Sequence, residues 1–312
     1  MPALTEREAP VAGLTLVIPF CNRERLLPRT LDSLARSIRW PESVLLVDNA
    51  STDNSPRLCL QFIRQHPTRS IHLLSELQPG APAARNRGLT ECGTAFVYFF
   101  DSDDELSPTF FADIAPYLTD AIDLVAVPTR TETDGRLHTR VYRPTADPVD
   151  QILLSHLNTQ AMLLRTSFLR QCGAWNTDCP VWNDWELALR LLLAQPRTQW
   201  LTRRPYHILH QHTDSLTGAG RAARIDDILQ TLRCAHDSLR AAPKKARYAL
   251  YLRHSILAGQ CLKEGDPTAA GKCDAQTRAL FHQQPHKFLR AYTAMGGRAA
   301  WLAARALTAF LR

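Results

Sequence analysis

Ala95–Asp104 reads AFVYFFDSDD: six apolar residues run without a break into three carboxylates within four positions. An apolar run of strand length with no polar alternation is what a strand buried on both faces shows, and such strands belong to parallel sheets. The carboxylates repel one another unless a cation or a set of donors offsets them. On an extended segment, Asp101 and Asp103 fall on one side. That pair suits a hard divalent cation, which bridges carboxylates to substrate phosphates. A solvated acidic loop, or the cap of a helix after Ser107-Pro108, is the plainer alternative.

Outward from this stretch, Leu14–Pro19, Val44–Val47, Ile71–Leu74, Ile122–Val127 and Met162–Leu164 read as further strands. Leu27, Leu31, Leu34 and Ile38 recur at helical spacing, with Pro28 in the first turn. Ala81–Cys92, Phe110–Leu118 and Asp184–Ala194 read as helices, and Asp134-Gly135 as a hairpin turn. Strand–helix repetition predicts an α/β domain with a largely parallel sheet, whose ligand sits at the carboxyl ends of the strands. There the first strand runs into Pro19-Phe20-Cys21-Asn22-Arg23, and the second into Asp48-Asn49-Ala50-Ser51. Asp48 alone also suits an Asx-turn.

From Arg221 onward the pattern is helical only, with breaks near Pro243, Pro267 and Pro285. The expected layout is a tail over 1–13, an α/β domain over 14–220 and a basic helical region over 221–312. The net charge of +7 is uneven: residues 221–312 hold 16 Lys and Arg against 6 Asp and Glu, leaving 1–220 slightly acidic. Arg298, Arg305 and Arg312 share one helical face, with Leu307, Phe310 and Leu311 largely opposite. This predicts an anionic partner, a membrane surface or a phosphorylated ligand, and no nucleic acid. Packing of the same face on protein is the alternative. No run of 18 apolar residues exists, the N-terminus lacks a signal-peptide pattern, and the eight cysteines show no metal or Cys-x-x-Cys spacing. The expectation is a cytoplasmic protein with free thiols, peripheral at most on the inner face of a membrane.

LTLVIPFCNR, LLVDNASTDNS, APAARNRGL and FVYFFDSDDEL, followed by MLLRTSFLRQCGAWN, WNDWELALRLL and HTDSLT, resemble the family 2 glycosyltransferases, inverting enzymes of the GT-A fold. The resemblance spans roughly residues 14–217, and its specificity lies in the order and spacing of the motifs. It implies a nucleotide-binding α/β/α sandwich with a mostly parallel central sheet, followed by a C-terminal helical region. It also implies a nucleotide-diphosphate sugar donor, with uridine diphosphate sugars the family's commonest, a glycan or lipid-linked acceptor, and Mn or Mg as cofactor. Pro19, Asn22, Asp48, Arg85 and Asp101 would contact the nucleotide, and Asp103 and His212 the metal, with His207 and His210 as alternatives to His212. Asp184 aligns with the family's general base; a helix cap is its other reading. Trp182, Trp185 and Glu186 are candidates on the acceptor side. Trp175, Trp182 and Trp185 would either stack on sugar rings or fill the core. Asn49 and Asn183 stand where family members often carry carboxylates.

Two rivals differ in class. A nucleotide-cofactor oxidoreductase would show Gly-x-Gly-x-x-Gly after the first strand, where Pro-Phe-Cys-Asn-Arg stands instead. A non-catalytic scaffold of transferase type is kept open by Asn49 and Asn183.

Overall fold

The computed structural model of the 312-residue chain describes residues 9–133, 135–139, 145–210, 220–296 and 300–309. In chain order come β1 (Val11–Phe20), α1 (Leu27–Ala35), β2 (Pro41–Asp48), α2 (Ser55–Gln65), β3 (Ile71–Ser75) and α3 (Ala81–Glu91). β4 (Phe96–Phe99), α4 (Phe110–Ile114), β5 (Leu124–Ala126), β6 (Arg130–Thr133), β7 (Arg136–Thr139), α5 (Pro148–Leu154), β8 (Met162–Arg165) and α6 (Thr166–Gln171) follow. The remainder is α7 (Asn183–Leu193), β9 (Thr198–Trp200), β10 (Ile208–His210), α8 (Ile225–Ser238), α9 (Lys244–Lys263), α10 (Pro267–Phe281), α11 (Lys287–Ala294) and α12 (Ala300–Ala309).

The chain divides into two compact units. The first comprises Met1–Pro144, Leu157–Thr177 and Pro196–Gln211, and holds a seven-stranded sheet in the order β3-β2-β1-β4-β8-β5-β9. Its neighbours are parallel except where β8 meets β4 and β5. β1 shows why its sequence is apolar from Leu14 onward apart from Thr15, whose buried hydroxyl pairs with that of Thr94 at 2.7 Å. Leu14, Leu16 and Ile18 share a core with Leu27, Leu31 and Leu34 of α1, Phe62 of α2 and Phe110 of α4. Val17, one pleat over, faces α3, where a side chain at Gly88 would come within 2.4 Å of it. Helices therefore cover both faces. The order turns back at β1, between β2 and β4, and such a switch point opens a ligand crevice at the carboxyl ends of the strands. A second sheet, β10-β6-β7, contains the expected hairpin, with Gly135 at a φ of 74° and Asp134 outside the described residues.

Two helices are shorter than their patterns suggest. α1 ends at Ala35, and Ile38 is 52% exposed, because its backbone N–H leaves the helix to bond the Pro108 carbonyl. α4 gives way after Ile114 to a single tighter turn, Ala115–Tyr117, at Pro116.

The second unit comprises Thr145–His156, Asp178–Gln195 and His212–Arg312. The boundary expected at residue 220 is thus misplaced for α5 and α7. Their apolar residues Val149, Ile152, Leu153, Trp185 and Leu189 share one core with Ile228, Leu232, Leu250 and Leu257 of the following helices. α9 is central, and Gly259 lets α11 approach so closely that a side chain there would meet the Arg290 carbonyl at 2.4 Å. Arg305 does not present the basic face expected of it. It pairs with Asp150, and with Asp147 at 3.7 Å, because α12 packs on α5 and α9. Arg298 and Arg312 lie outside the described residues. Among those described, no helix is long and apolar enough to cross a membrane.

Candidate active site

Register brings together residues expected to contact the nucleotide. Pro19 pairs with Val47 and Phe20 with Asp48, so the loops leaving β1 and β2 start side by side. Asn22 joins them: its backbone N–H donates to Ser51 Oγ at 3.0 Å, and its side-chain oxygen accepts from the Thr52 N–H at 2.7 Å. Its φ of 51° is one that Asn tolerates better than most residues. Asp48 accepts from the Ser51 N–H at 3.1 Å, three residues on and so one residue beyond the bond of the Asx-turn read as its alternative role, and keeps its side chain partly exposed.

Asn49 explains itself here. Its amide nitrogen donates to the carbonyls of Glu76 (3.0 Å) and Gln78 (2.7 Å), and its oxygen accepts from the Gly80 N–H (2.8 Å). A carboxylate has no protons to give those two carbonyls. The bonds fix the loop that starts α3, and α3 carries Arg85 and Asn86.

Arg85 is 5% exposed and ion-paired to Asp101 at 2.6 Å, with its guanidinium 4.4 Å from the centre of the Trp175 ring. Asn86 clamps Trp175 from both sides, donating to its carbonyl (2.8 Å) and accepting from its N–H (3.0 Å). Phe99 meets the same indole edge-on. Trp175 therefore props Arg85 rather than meeting a sugar. The second Asp101 oxygen accepts from Gln160 Nε2 at 2.7 Å, and that amide also serves Asp104 at 2.5 Å.

The three carboxylates of the opening stretch thus divide. Asp104 is buried, also accepts from the His210 N–H at 2.8 Å, and has its pKa raised by burial and then by Asp103 and Asp101. Asp101 is 32% exposed along its side chain, and Asp103 is partly exposed. From α1, Arg29 donates to the Asp103 carbonyl, Thr30 to that of Asp104 (2.8 Å), and Ser33 accepts from the Leu106 N–H (3.0 Å). The loop is held from beneath by a helix whose polar residues face it.

His212 lies outside the described residues. His207 is buried among Tyr98, Phe100 and Phe110; the Tyr98 hydroxyl lies 2.9 Å from its Nε2, and burial pushes its pKa down to about 3. It is a neutral core residue. His210 lies between Glu105 (2.9 Å) and Glu132 (3.2 Å).

In the second unit, Asp184 stands in the first turn of α7, partly exposed, and its carboxylate accepts from the Trp185 N–H at 2.8 Å. Two neighbours expected on the acceptor side are placed otherwise. Trp185 is 3% exposed, its Nε1 bonded to the Gln151 carbonyl at 3.0 Å. Glu186 is 1% exposed and paired with Arg190 at 2.7 Å. Helical geometry turns both inward, since α7 packs its apolar face on the unit's core. Trp182 alone of the three stays partly exposed. Gln160 was not legible from sequence: it belongs to no motif, and only the fold sets it between two aspartates.

The sequence model described as "Glycosyl transferase family 2" matches residues 15–175. The minor teichoic acid biosynthesis protein GgaA of Bacillus subtilis is 31% identical over 112 residues, which are 34% of this chain and 25% of that protein. The uncharacterized glycosyltransferase YibD of Escherichia coli is 30% identical over 98 residues, 31% of this chain and 28% of that one. The match thus spans little more than a quarter of either relative. Among solved structures, S. aureus TarS 1–349 in complex with UDP-GlcNAc superimposes with a TM-score of 0.66 at 17% identity, covering 94% of this chain and 90% of that one. The mannosyltransferase PcManGT of Pyrobaculum calidifontis, in complex with GDP-Man and Mn2+, gives 0.58 at 17% identity over 96% and 87%. At such identities the superpositions establish the fold.

Proposed function

Since the chain belongs to glycosyl transferase family 2, we propose that it moves a sugar from a nucleoside diphosphate sugar to a hydroxyl of a glycan or lipid-linked acceptor, inverting the anomeric carbon. The acceptor oxygen bonds to that carbon, the bond to the diphosphate breaks with its electron pair leaving on the diphosphate, and Asp184 takes the acceptor's proton. The observation that carries this reading is the Arg85–Asp101 pair at the switch point of a parallel sheet, with Asn22 and Asp48 at the adjoining strand ends. Pro19, Asn22, Asp48, Arg85 and Asp101 hold the nucleotide in this reading, and Trp182 offers its ring to the acceptor. A uridine diphosphate donor is supported by the ligand named for TarS, and synthesis of a cell-wall or other polysaccharide by the name of GgaA.

The residues present fit a divalent cation. Mg2+ and Mn2+ are held in nucleotide sites by one or two carboxylates together with substrate phosphates, so no cage of three protein ligands is needed. Partly exposed Asp103 answers to that, with His212 as a possible second ligand by sequence. A cation bound there supplies positive charge to the departing diphosphate. The basic surplus of residues 221–312 supports an anionic membrane surface on the cytoplasmic side as a further partner. Cosedimentation with phosphatidylglycerol vesicles tests that part.

The deciding experiment is binding and hydrolysis of UDP-GlcNAc, UDP-glucose, UDP-galactose and GDP-mannose by the full chain, with and without Mn2+. The expected result is turnover of one donor, lost in Asp184→Asn with donor binding retained. Failure of every nucleotide to bind would overturn the reading.

A further inference from the structure

α9 sets Arg253 inside the helical unit, 5% exposed. Its guanidinium carbon lies over three indoles, 4.5 Å from the ring centre of Trp182, 4.7 Å from Trp185 and 5.1 Å from Trp301. In the same position Nη1 donates to the Ile152 carbonyl in the last turn of α5 and reaches Ser155 Oγ at 3.4 Å. A planar guanidinium stacks through its faces while donating through its edge, which an ammonium cannot do.

What this arrangement holds is the start of α7. Trp182 occupies the cap position with φ 52° and ψ 27°, a left-handed conformation that a bulky residue rarely adopts, and no side-chain cap bond closes the helix there. Such a conformation persists only where its surroundings over-determine it. Here the Trp182 ring rests on Arg253 and tilts against Trp185 at 6.1 Å and 60°, while Trp185 is tied to α5 through Gln151. The third indole comes from α12, which Arg305 anchors to Asp150 and Asp147.

We propose that Arg253 is a positioning residue for Asp184: by fixing Trp182 in its left-handed turn it sets the direction of the first turn of α7, and Trp301 completes the stack from α12. The last helix is then part of the acceptor-side machinery. The inference rests on the reading of Asp184 as the base, two residues beyond Trp182.

Arg253→Met keeps the length and the apolar stem and removes the plane and the charge. Trp301→Leu, at the α12 side of the stack, carries the same test should Arg253→Met fail to fold. Two readouts apply to the full chain. In protein labelled with 5-fluorotryptophan, the Trp182 resonance, assigned with Trp182→Phe, is expected to shift or broaden in both variants. In hydrolysis of the nucleotide sugar that the panel identifies, kcat is expected to fall about ten- to a hundredfold with the donor KM unchanged, as for a misplaced catalytic group. An unchanged Trp182 resonance overturns the proposal whether or not a donor is turned over, and so does a native kcat in a folded variant. Asp184→Asn, measured alongside, separates the two ideas. If it is inactive while Arg253→Met is native, only the role of Arg253 falls; if it turns over at the native rate, the base assignment falls and the role of Arg253 with it.

Discussion

Arg85 and Asp101 bind one another at 2.6 Å, and each is committed on its other side, Arg85 to the face of Trp175 and Asp101 to Gln160. The pair is a braced unit just beyond the carboxyl end of β4, the strand beside β1. Losing one partner of a mostly buried charged pair leaves the other inadequately solvated. Arg85→Met is therefore expected to cost about 1–3 kcal/mol of stability. UDP binding should weaken at least about tenfold, the equivalent of one charge-assisted hydrogen bond. Urea unfolding and calorimetric titration with UDP check the two parts separately.

Asn49→Asp tests whether the asparagine simply replaces the carboxylate that the family often carries there or is a structural requirement. Two carbonyls would lose their donor, at a cost of about 1–3 kcal/mol at pH 7. Burial next to carbonyl oxygens raises the pKa of the new carboxyl in the folded state. Its penalty therefore grows as pH rises from the unfolded-state value through the folded one, and shrinks on acidification as the protonated form donates again. The melting temperature of the variant relative to the native chain should recover between pH 7 and pH 5. An equal deficit at both values would mean that the amide protons do not matter.

The same residue shows what the sequence could and could not reveal. Strands with both faces buried announce themselves by unbroken apolar runs, so β1, β2 and β4 and the polar loops beyond them were legible, as was the helical character after residue 221. Asn49, Gln160 and Arg253 were opaque because their partners lie 27–31, 56–59 and 101 residues away for the bonds that matter. Glu186 misled for a related reason: its type suits an acceptor site, and only the packing of α7 shows that it points at Arg190 inside the protein. The grouping of α5 and α7 with the C-terminal helices is likewise a matter of which apolar faces meet.

His207 makes a pH prediction with a defined sign. Its folded pKa is pushed down to about 3 by burial, so between that value and the unfolded value near 6.5 the unfolded chain binds the extra proton. The stabilising contribution is present above pH 6.5 and is lost as pH falls. His207→Phe, which keeps an aromatic ring among Phe100, Phe110 and Tyr206, is expected to spare about 2 kcal/mol of the loss between pH 7 and pH 5. Denaturant unfolding of both chains at the two pH values measures it. Parallel losses in the two would show that His207 is protonated in the folded protein.

Asp101 and Asp103 belong to one motif yet should fail differently. Asp101 has both oxygens engaged, by Arg85 and Gln160, so it orders the site and leaves little capacity for a cation. Asp103, partly exposed on a loop whose backbone α1 holds in place, is the carboxylate suited to share a cation with phosphates. Asp103→Asn is expected to abolish the gain in nucleotide affinity that Mn2+ gives, leaving metal-free affinity within about twofold, since a neutral amide is a poor ligand for a hard cation. Asp101→Asn should instead weaken binding with and without the metal and lower stability by about 1–3 kcal/mol through the stranded guanidinium. Calorimetry with UDP, in Mn2+ and in EDTA, distinguishes them. A variant of Asp103 that keeps the full Mn2+ response would remove this residue from the metal site.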